Sequence, residues 1–122
     1  MYSFSQSSQD KLNTCDSRLI VLMNHVIKHF DITILCGHRE EDEQNRLYNA
    51  GRSQLQYPNS FHNRFPSLAV DIAPWPIDWQ DIYSFYHLGG LVEGTAHQLG
   101  IEIVWGGHWP NFKDYPHFQL KT

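Results

Sequence analysis

Two histidines and one aspartate, from separated parts of the chain, are residues of the types that bind a catalytic metal ion. His62, Asp71 and His117 lie in different segments, and a second carboxylate, Asp114, precedes His117 by three positions. Zinc in hydrolases usually has three protein ligands of these types and keeps its fourth position for water. A neighbouring carboxylate can then serve as a general base. These residue types are therefore compatible with the metal site of a hydrolase.

Each of these residues also has an ordinary structural explanation. A histidine on a loop or strand is more often hydrogen-bonded structure than a ligand, and an aspartate often caps a turn. Asp71, however, stands inside the apolar segment 68–73, where an unpaired carboxylate would be costly to bury. Non-heme iron oxygenases use the same ligand types, but with a close His-x-Asp pair, whereas His62 and Asp71 are nine positions apart. By themselves the residue types indicate only a possible metal site.

The periodicity of apolar residues predicts the elements that position these side chains. A helical spacing of three and four runs from Leu12 to Val26 and predicts helix to about residue 29, with an N-cap at Asp16. Further helices are predicted over residues 40–49 and along 82–99, each followed by a glycine. Short apolar runs predict strands at 32–36, 68–73, 101–105 and 117–120. We therefore predict an α+β fold, a small antiparallel sheet with about three helices, in a single domain covering residues 1–122.

Alternation along the predicted strands separates the core residues from the candidate ligands. Asp71 lies between Val70 and Ile72, which share the opposite face of their strand. His117 alternates in the same way with the apolar Phe118. Both candidate ligands on strands are thus predicted to face away from the core.

Composition excludes several classes of function. The chain has 122 residues, and 41% of them are hydrophobic, as in a globular domain. We expect the protein to be a monomer. Its formal net charge of −4 argues against a nucleic-acid-binding protein. No apolar run approaches the roughly 20 residues that span a membrane, so no membrane insertion is expected. Residues 1–10 lack the hydrophobic core of a signal peptide, which predicts synthesis in the cytoplasm and any export by another route. Cys15 and Cys36 are expected to be reduced thiols.

Several short motifs occur along the chain in one order. They are Gly37-His38-Arg39, Gln44 with Leu47-Tyr48 and Gly51-Arg52, Ser60-Phe61-His62, Ala69-Val70-Asp71, Trp105-Gly106-Gly107 and Asp114-Tyr115-Pro116-His117-Phe118. As a set they resemble the zinc D-alanyl-D-alanine carboxypeptidase and L-alanyl-D-glutamate endopeptidase family, the VanY-like enzymes that share a fold with the hedgehog signalling domain. Within that family the chain is similar to small phage endolysins.

The resemblance implies one zinc ion bound by His62, Asp71 and His117. It implies that Asp114 is the general base for a zinc-activated water and that Arg39 stabilises the oxyanion. The spacing of nine between His62 and Asp71 exceeds the seven that is common in the family, which affects the loop more than the ligands.

Three further residues are candidates for the surroundings of the substrate. Ser60, two positions before the first ligand, matches a serine near the substrate in the family. His108 stands where many relatives have aspartate, and it is expected at the surface or beside the ligands, with a substrate contact as the alternative. Trp105 is expected either to wall the cleft or to belong to the core.

The activity implied by the resemblance is hydrolysis of a peptide bond in the peptidoglycan stem peptide. An L-Ala–D-Glu endopeptidase is favoured, acting on the cell wall if the chain is phage-like, and a D-Ala–D-Ala carboxypeptidase is the alternative. A zinc-containing binding module without catalysis is a third possibility. It is disfavoured because such a module has no need of Asp114 and Arg39. A structural zinc site would need a fourth ligand, for which His108 is the candidate.

Overall fold

The computed structural model describes all residues 1–122. Its helices and strands are α1 (Gln6–Leu12), α2 (Ser17–Val26), β1 (Ile32–Cys36), α3 (Glu41–Asn49), β2 (Ala69–Pro74), α4 (Ile82–Leu99), β3 (Ile103–Trp105) and β4 (His117–Leu120), with 3₁₀ turns at Phe61–Asn63 and Gly106–His108. The four strands form one antiparallel sheet in the order β1-β2-β4-β3. The predicted α+β class with a small antiparallel sheet is confirmed.

The helix count is four and not three, because the first apolar stripe is divided. Helix α1 ends at Leu12, and Asp16 caps α2 by accepting a hydrogen bond from the Arg18 backbone N–H at 2.9 Å. The predicted N-cap at Asp16 is therefore correct, and the residues before it form a complete helix of seven residues. Gly100 ends α4 in a left-handed conformation with φ of 71°, which a residue without Cβ adopts at little cost.

The core lies between one face of the sheet and helices α2 and α4. Val70 and Ile72 of β2 are completely buried, as is Phe118 of β4. Together with apolar residues of the helices they form a single cluster of 17 buried side chains. The alternation predicted from the sequence is thus correct, and the other face of the sheet is left for polar residues.

Strand β1 contains a β-bulge beside this polar face. Ile34 is paired with Ile72, but the next pair joins Cys36 to Asp71, so that Leu35 is the additional residue. Bulges often redirect a side chain next to a functional site. Here the bulge brings Cys36 opposite Asp71.

Cys15 and Cys36 are both free, and burial raises the pKa of the Cys15 thiol to about 12. None of the helices has the length and apolar character that a membrane crossing requires.

Candidate metal centre and cleft

Asp71 and His117 are direct neighbours on the polar face of the sheet. They are partners in the β2–β4 register, and Asp71 Oδ1 lies 3.0 Å from His117 Nδ1. His62 reaches the same point from the 3₁₀ turn Phe61–Asn63, with its Nε2 at 3.1 Å from Asp71 Oδ1 and 3.3 Å from His117 Nδ1. The structure therefore brings all three predicted ligands together around one point.

The outer nitrogen of each imidazole has its own hydrogen-bond partner. His62 Nδ1 lies 2.7 Å from the carbonyl oxygen of Gly37, and His117 Nε2 lies 2.8 Å from Gln119 Oε1. Because both partners are acceptors, each outer nitrogen carries the proton. In the neutral histidines the inner nitrogens then present lone pairs toward Asp71. Such outer partners fix the tautomer and the ring orientation of histidines that bind metals.

The electrostatics of the cluster show how strongly it attracts a positive charge. Burial by itself would lower the pKa of His62, but the negative charge of Asp71 outweighs it and raises that pKa to about 10. Burial would raise the pKa of Asp71, yet His62 and His117 hold it well below its usual range. The carboxylate is thus ionised, and a buried ionised group needs a cation beside it.

The donor set fits a zinc ion. Two imidazole nitrogens and one carboxylate oxygen are ligands that zinc takes readily, and three protein ligands leave a position for water. Their mutual distances of 3.0 to 3.3 Å leave all three atoms within reach of one ion. Cys36 also offers its sulfur within 4.8 Å of the His62 and Asp71 donors, a neighbour that strand alternation did not indicate.

Asp114 lies at the edge of this cluster and lines the same cleft. One of its oxygens is within 4.8 Å of the donor atoms of Asp71 and His117. Burial, followed by the nearby charge of Asp71, raises the pKa of Asp114 above its ordinary value. Its backbone is fixed by a hydrogen bond from its N–H to the Gly106 carbonyl at 3.0 Å. The position of its main chain therefore depends on the glycine turn that follows β3.

Arg39 is held beside the cluster by a residue that the sequence analysis did not assign to the site. Its Nη2 lies 3.5 Å from Asp71 Oδ2, and its Nη1 donates to Gln44 Oε1 at 3.0 Å. Gln44 is completely buried, and its Nε2 donates to the Ser53 hydroxyl at 3.0 Å and the Leu55 carbonyl at 2.6 Å. A polar residue among the charged residues of a short helix gives no sequence signal for this role.

Ser60 lines the cleft and also supports His62. Its hydroxyl accepts a hydrogen bond from the His62 N–H at 3.2 Å, while its own N–H donates to Asn63 Oδ1 at 3.0 Å. These two bonds form a capping box at the start of the 3₁₀ turn. Ser60 therefore supports the backbone of His62 while it lines the cleft.

The structure puts His108 and Trp105 outside the cleft, so neither is placed as a candidate substrate contact; His108 has the expected surface position, and Trp105 takes the alternative of a core position. Trp105 is 3% exposed, stacks on Phe118 in the core and donates from Nε1 to the Tyr115 carbonyl. His108 is exposed and its Nε2 lies 2.9 Å from Glu93 Oε2, so it does not close the metal site. The tryptophan that lines the cleft is Trp109, whose ring centroid is 5.2 Å from that of His117.

The cleft has a volume of about 460 Å³, which is within the usual range for a small-ligand site. The ligand cluster lies on the polar face of the sheet, and the loop after α3 also lines the cleft, with Arg52 and Leu55 among its residues. Phe112 and Trp109 add aromatic surface. Charged and aromatic side chains thus border the ligand cluster within one cleft.

Comparison with known proteins matches residues 1–121 to the model of the phage L-alanyl-D-glutamate peptidase family. The chain is 34% identical over 108 residues to the peptidoglycan L-alanyl-D-glutamate endopeptidase CwlK of Bacillus subtilis, covering 76% of this chain but only 62% of CwlK. It is 26% identical over 125 residues to the L-alanyl-D-glutamate peptidase of Escherichia phage T5, covering 98% of this chain and 90% of that protein.

A solved structure has the same fold over almost the whole chain. The crystal structure of the Serratia marcescens L-Ala D-Glu endopeptidase ChiX matches with a TM-score of 0.83 and 26% sequence identity, covering 98% of this chain and 90% of ChiX. These matches confirm the resemblance that the ordered motifs predicted. The chain belongs to the phage L-alanyl-D-glutamate peptidase family.

Proposed function

We propose that this protein hydrolyses the L-Ala–D-Glu bond of the peptidoglycan stem peptide, using one zinc ion held by His62, Asp71 and His117. The observation that carries the proposal is the convergence of two oriented imidazole nitrogens and an ionised carboxylate at one point of a cleft. The family membership supports the choice of bond, since the relatives are named for that cleavage.

A zinc ion held by His62, Asp71 and His117 would supply Lewis acidity, which polarises a carbonyl group and lowers the pKa of water to about 7. The chain's own residues supply the proton transfers. Asp114 accepts a proton from the attacking water and delivers it to the nitrogen of the leaving D-glutamyl residue. A base is most effective when its pKa approaches the working pH, and burial moves the pKa of Asp114 in that direction.

Arg39 stabilises the negative charge that develops on the carbonyl oxygen. Its guanidinium is permanently charged, its side chain is only 12% exposed, and Gln44 fixes one of its nitrogens. A donor that is already oriented before the reaction gives more stabilisation than a mobile surface charge. The alternative of a solvated arginine at a helix start is disfavoured by this burial.

Digestion of purified peptidoglycan tests the proposal. Mass analysis and end-group labelling should detect new amino-terminal D-glutamate, whereas release of free D-alanine would identify a D-Ala–D-Ala carboxypeptidase. A chelator should abolish the cleavage, and added zinc should restore it. If neither product forms with the zinc-loaded protein, the chain is a binding module and the proposal is wrong.

The variant Asp114→Asn tests the role of the base, because asparagine keeps the shape of the side chain but cannot take up the proton. Turnover should fall by about a hundredfold or more with zinc content unchanged. Asp42→Asn, a substitution at an exposed position of α3, is the matched control and should leave both unchanged. Loss of zinc from Asp114→Asn would make Asp114 a ligand instead.

A further inference from the structure

Arg52 is a positive charge in the cleft that has no anionic partner in the protein. Two arginines and two aspartates line the cleft. Arg39 lies 3.5 Å from Asp71, but none of the ion pairs of the chain includes Arg52. Arginine stays charged at all ordinary pH values. Arg52 is therefore a cation of the cleft that forms no ion pair with the carboxylates of the protein.

The backbone around Arg52 is held in place. Gly51 turns the chain at the end of α3 with φ of 74°, and the Arg52 N–H donates to the Leu47 carbonyl at 2.8 Å. Just beyond it, the Gln44 amide binds Ser53 and Leu55. The side chain of Arg52 is exposed, lines the cleft and makes no hydrogen bond of its own, while its backbone is fixed by the contacts above.

The same buried amide relates Arg52 to the metal centre. One end of Gln44 orients Arg39 beside Asp71, and the other end fixes the segment that follows Arg52. The two arginines are therefore supported by one residue and line one cleft, although only Arg39 is engaged with the candidate ligands. A substrate bound across this cleft meets a second, separate cation.

We propose that Arg52 binds the free α-carboxylate of the D-glutamyl residue on the leaving side of the scissile bond, an inference that rests on the proposed function. In the stem peptide this residue continues the chain through its side-chain γ-carboxyl group, so its α-carboxyl group is left as a free anion next to the scissile nitrogen. A guanidinium matches a carboxylate in charge and in its paired donor geometry. Arg52 is thus a specificity residue that distinguishes D-glutamate from its uncharged α-amide.

This role predicts an effect on binding more than on turnover. The carboxylate is present in the substrate before and during the reaction, so its interaction stabilises the ground state and the transition state alike. Loss of such uniform binding raises KM and leaves kcat nearly unchanged. Asp114→Asn should instead lower kcat and leave KM nearly unchanged.

Two synthetic stem peptides test the proposal, identical except that one carries D-glutamate and the other D-isoglutamine, its α-carboxamide. The zinc-loaded wild type should cleave both, with a KM about tenfold lower for the carboxylate, the scale of one hydrogen-bonded charged group. Arg52→Ala should raise KM about tenfold for the D-glutamate peptide only, and Arg52→Lys should recover part of the preference. Arg46→Ala is the matched control, because Arg46 is exposed on α3, pairs with Glu43 and does not line the cleft.

The comparison of two peptides within one variant removes general effects of folding or zinc loading, which act on both peptides equally. An equal rise in KM for both peptides, or no rise for either, would overturn the assignment of the carboxylate to Arg52. Cleavage of neither peptide by the wild type would refute the proposed activity, and with it the ligand assigned here.

Discussion

Replacing Gln44 by leucine should weaken both the fold and the turnover, because this amide joins three parts of the cleft. Its oxygen accepts hydrogen bonds from Arg39 Nη1 at 3.0 Å and Asn63 Nδ2 at 3.3 Å. Its nitrogen donates to the Ser53 hydroxyl and the Leu55 carbonyl. Leucine has a similar volume and leaves no large cavity, so the change removes the polar contacts almost alone.

The loss of stability follows from the partners that remain. A hydrogen bond to a charged group contributes about 1.5–3 kcal/mol and a neutral one about 0.5–1.5 kcal/mol. Ser53 and Leu55 are partly exposed, so water replaces some of what they lose. The expected decrease in the free energy of unfolding is therefore about 2–4 kcal/mol, with the Arg39 bond as the largest single part.

The loss of turnover should come through Arg39. Removal of an oxyanion donor lowers kcat by about 10²–10³. A mobile Arg39 should lose part of this stabilisation, so kcat should fall about tenfold or more. Urea unfolding and steady-state kinetics at saturating zinc measure the two effects, with Gln98→Leu on the exposed side of α4 as the control.

A double-mutant cycle with Arg39→Ala decides whether the two residues act together. If Gln44 affects turnover only by holding Arg39, adding Gln44→Leu to Arg39→Ala should change kcat little further. Fully additive losses in kcat would refute this reasoning and would assign Gln44 a separate role. A wild-type kcat in Gln44→Leu would show that Arg39 needs no such support.

Three further predictions concern the metal and its surroundings. His117→Ala should lose most of the bound zinc, measured by elemental analysis, whereas the exposed His25→Ala should keep one equivalent; equal zinc in both would exclude His117 as a ligand. Zinc should bind more tightly as pH rises from about 6 to about 8, because His62, with its pKa of about 10, must lose a proton to bind the ion. The affinity should change close to tenfold per pH unit for one displaced proton. A zinc affinity that does not change with pH in a chelator competition would contradict this. Gly106→Ala should lower turnover and stability, since an added Cβ would collide with the Asp114 carbonyl. In the control Gly90→Ala, in α4, the added Cβ meets no atom within 4 Å, so this variant should be neutral or slightly stabilised. Equal turnover and stability of the two variants would show that the turn at Gly106 adjusts freely.

The sequence alone was sufficient for the part of the site that depends on regular alternation. Asp71 and His117 each alternate with residues that are completely buried, including Val70 and Phe118, so their outward direction follows from the period of a strand. That they face each other depends on strand order and register, which alternation does not contain. The proximity of Asp71 and His117 was predicted instead from the resemblance of the ordered motifs to a known family.

Other contacts depend on local departures from regular structure. Cys36 reaches Asp71 only because a bulge displaces the register after Ile34. Trp105 is the last residue of a short strand, and whether its ring enters the cleft or the core is decided by stacking on Phe118. His108 finds its partner on α4, in Glu93. Hydrophobic periodicity predicts none of these three contacts, because each depends on the packing of distant segments.

The segment after β1 makes the candidate metal ligands and Arg39 structurally dependent on each other. The Gly37 carbonyl accepts the proton of His62 Nδ1 at 2.7 Å, and two residues later the Arg39 N–H donates to the His62 carbonyl at 2.8 Å. The side chain of Arg39 then returns to Asp71 at 3.5 Å. Displacement of the loop that carries His62 must therefore displace Arg39 as well, and a shift of Arg39 acts back on two candidate ligands. The Gly37-His38-Arg39 motif and His62 are thus joined into one hydrogen-bonded unit.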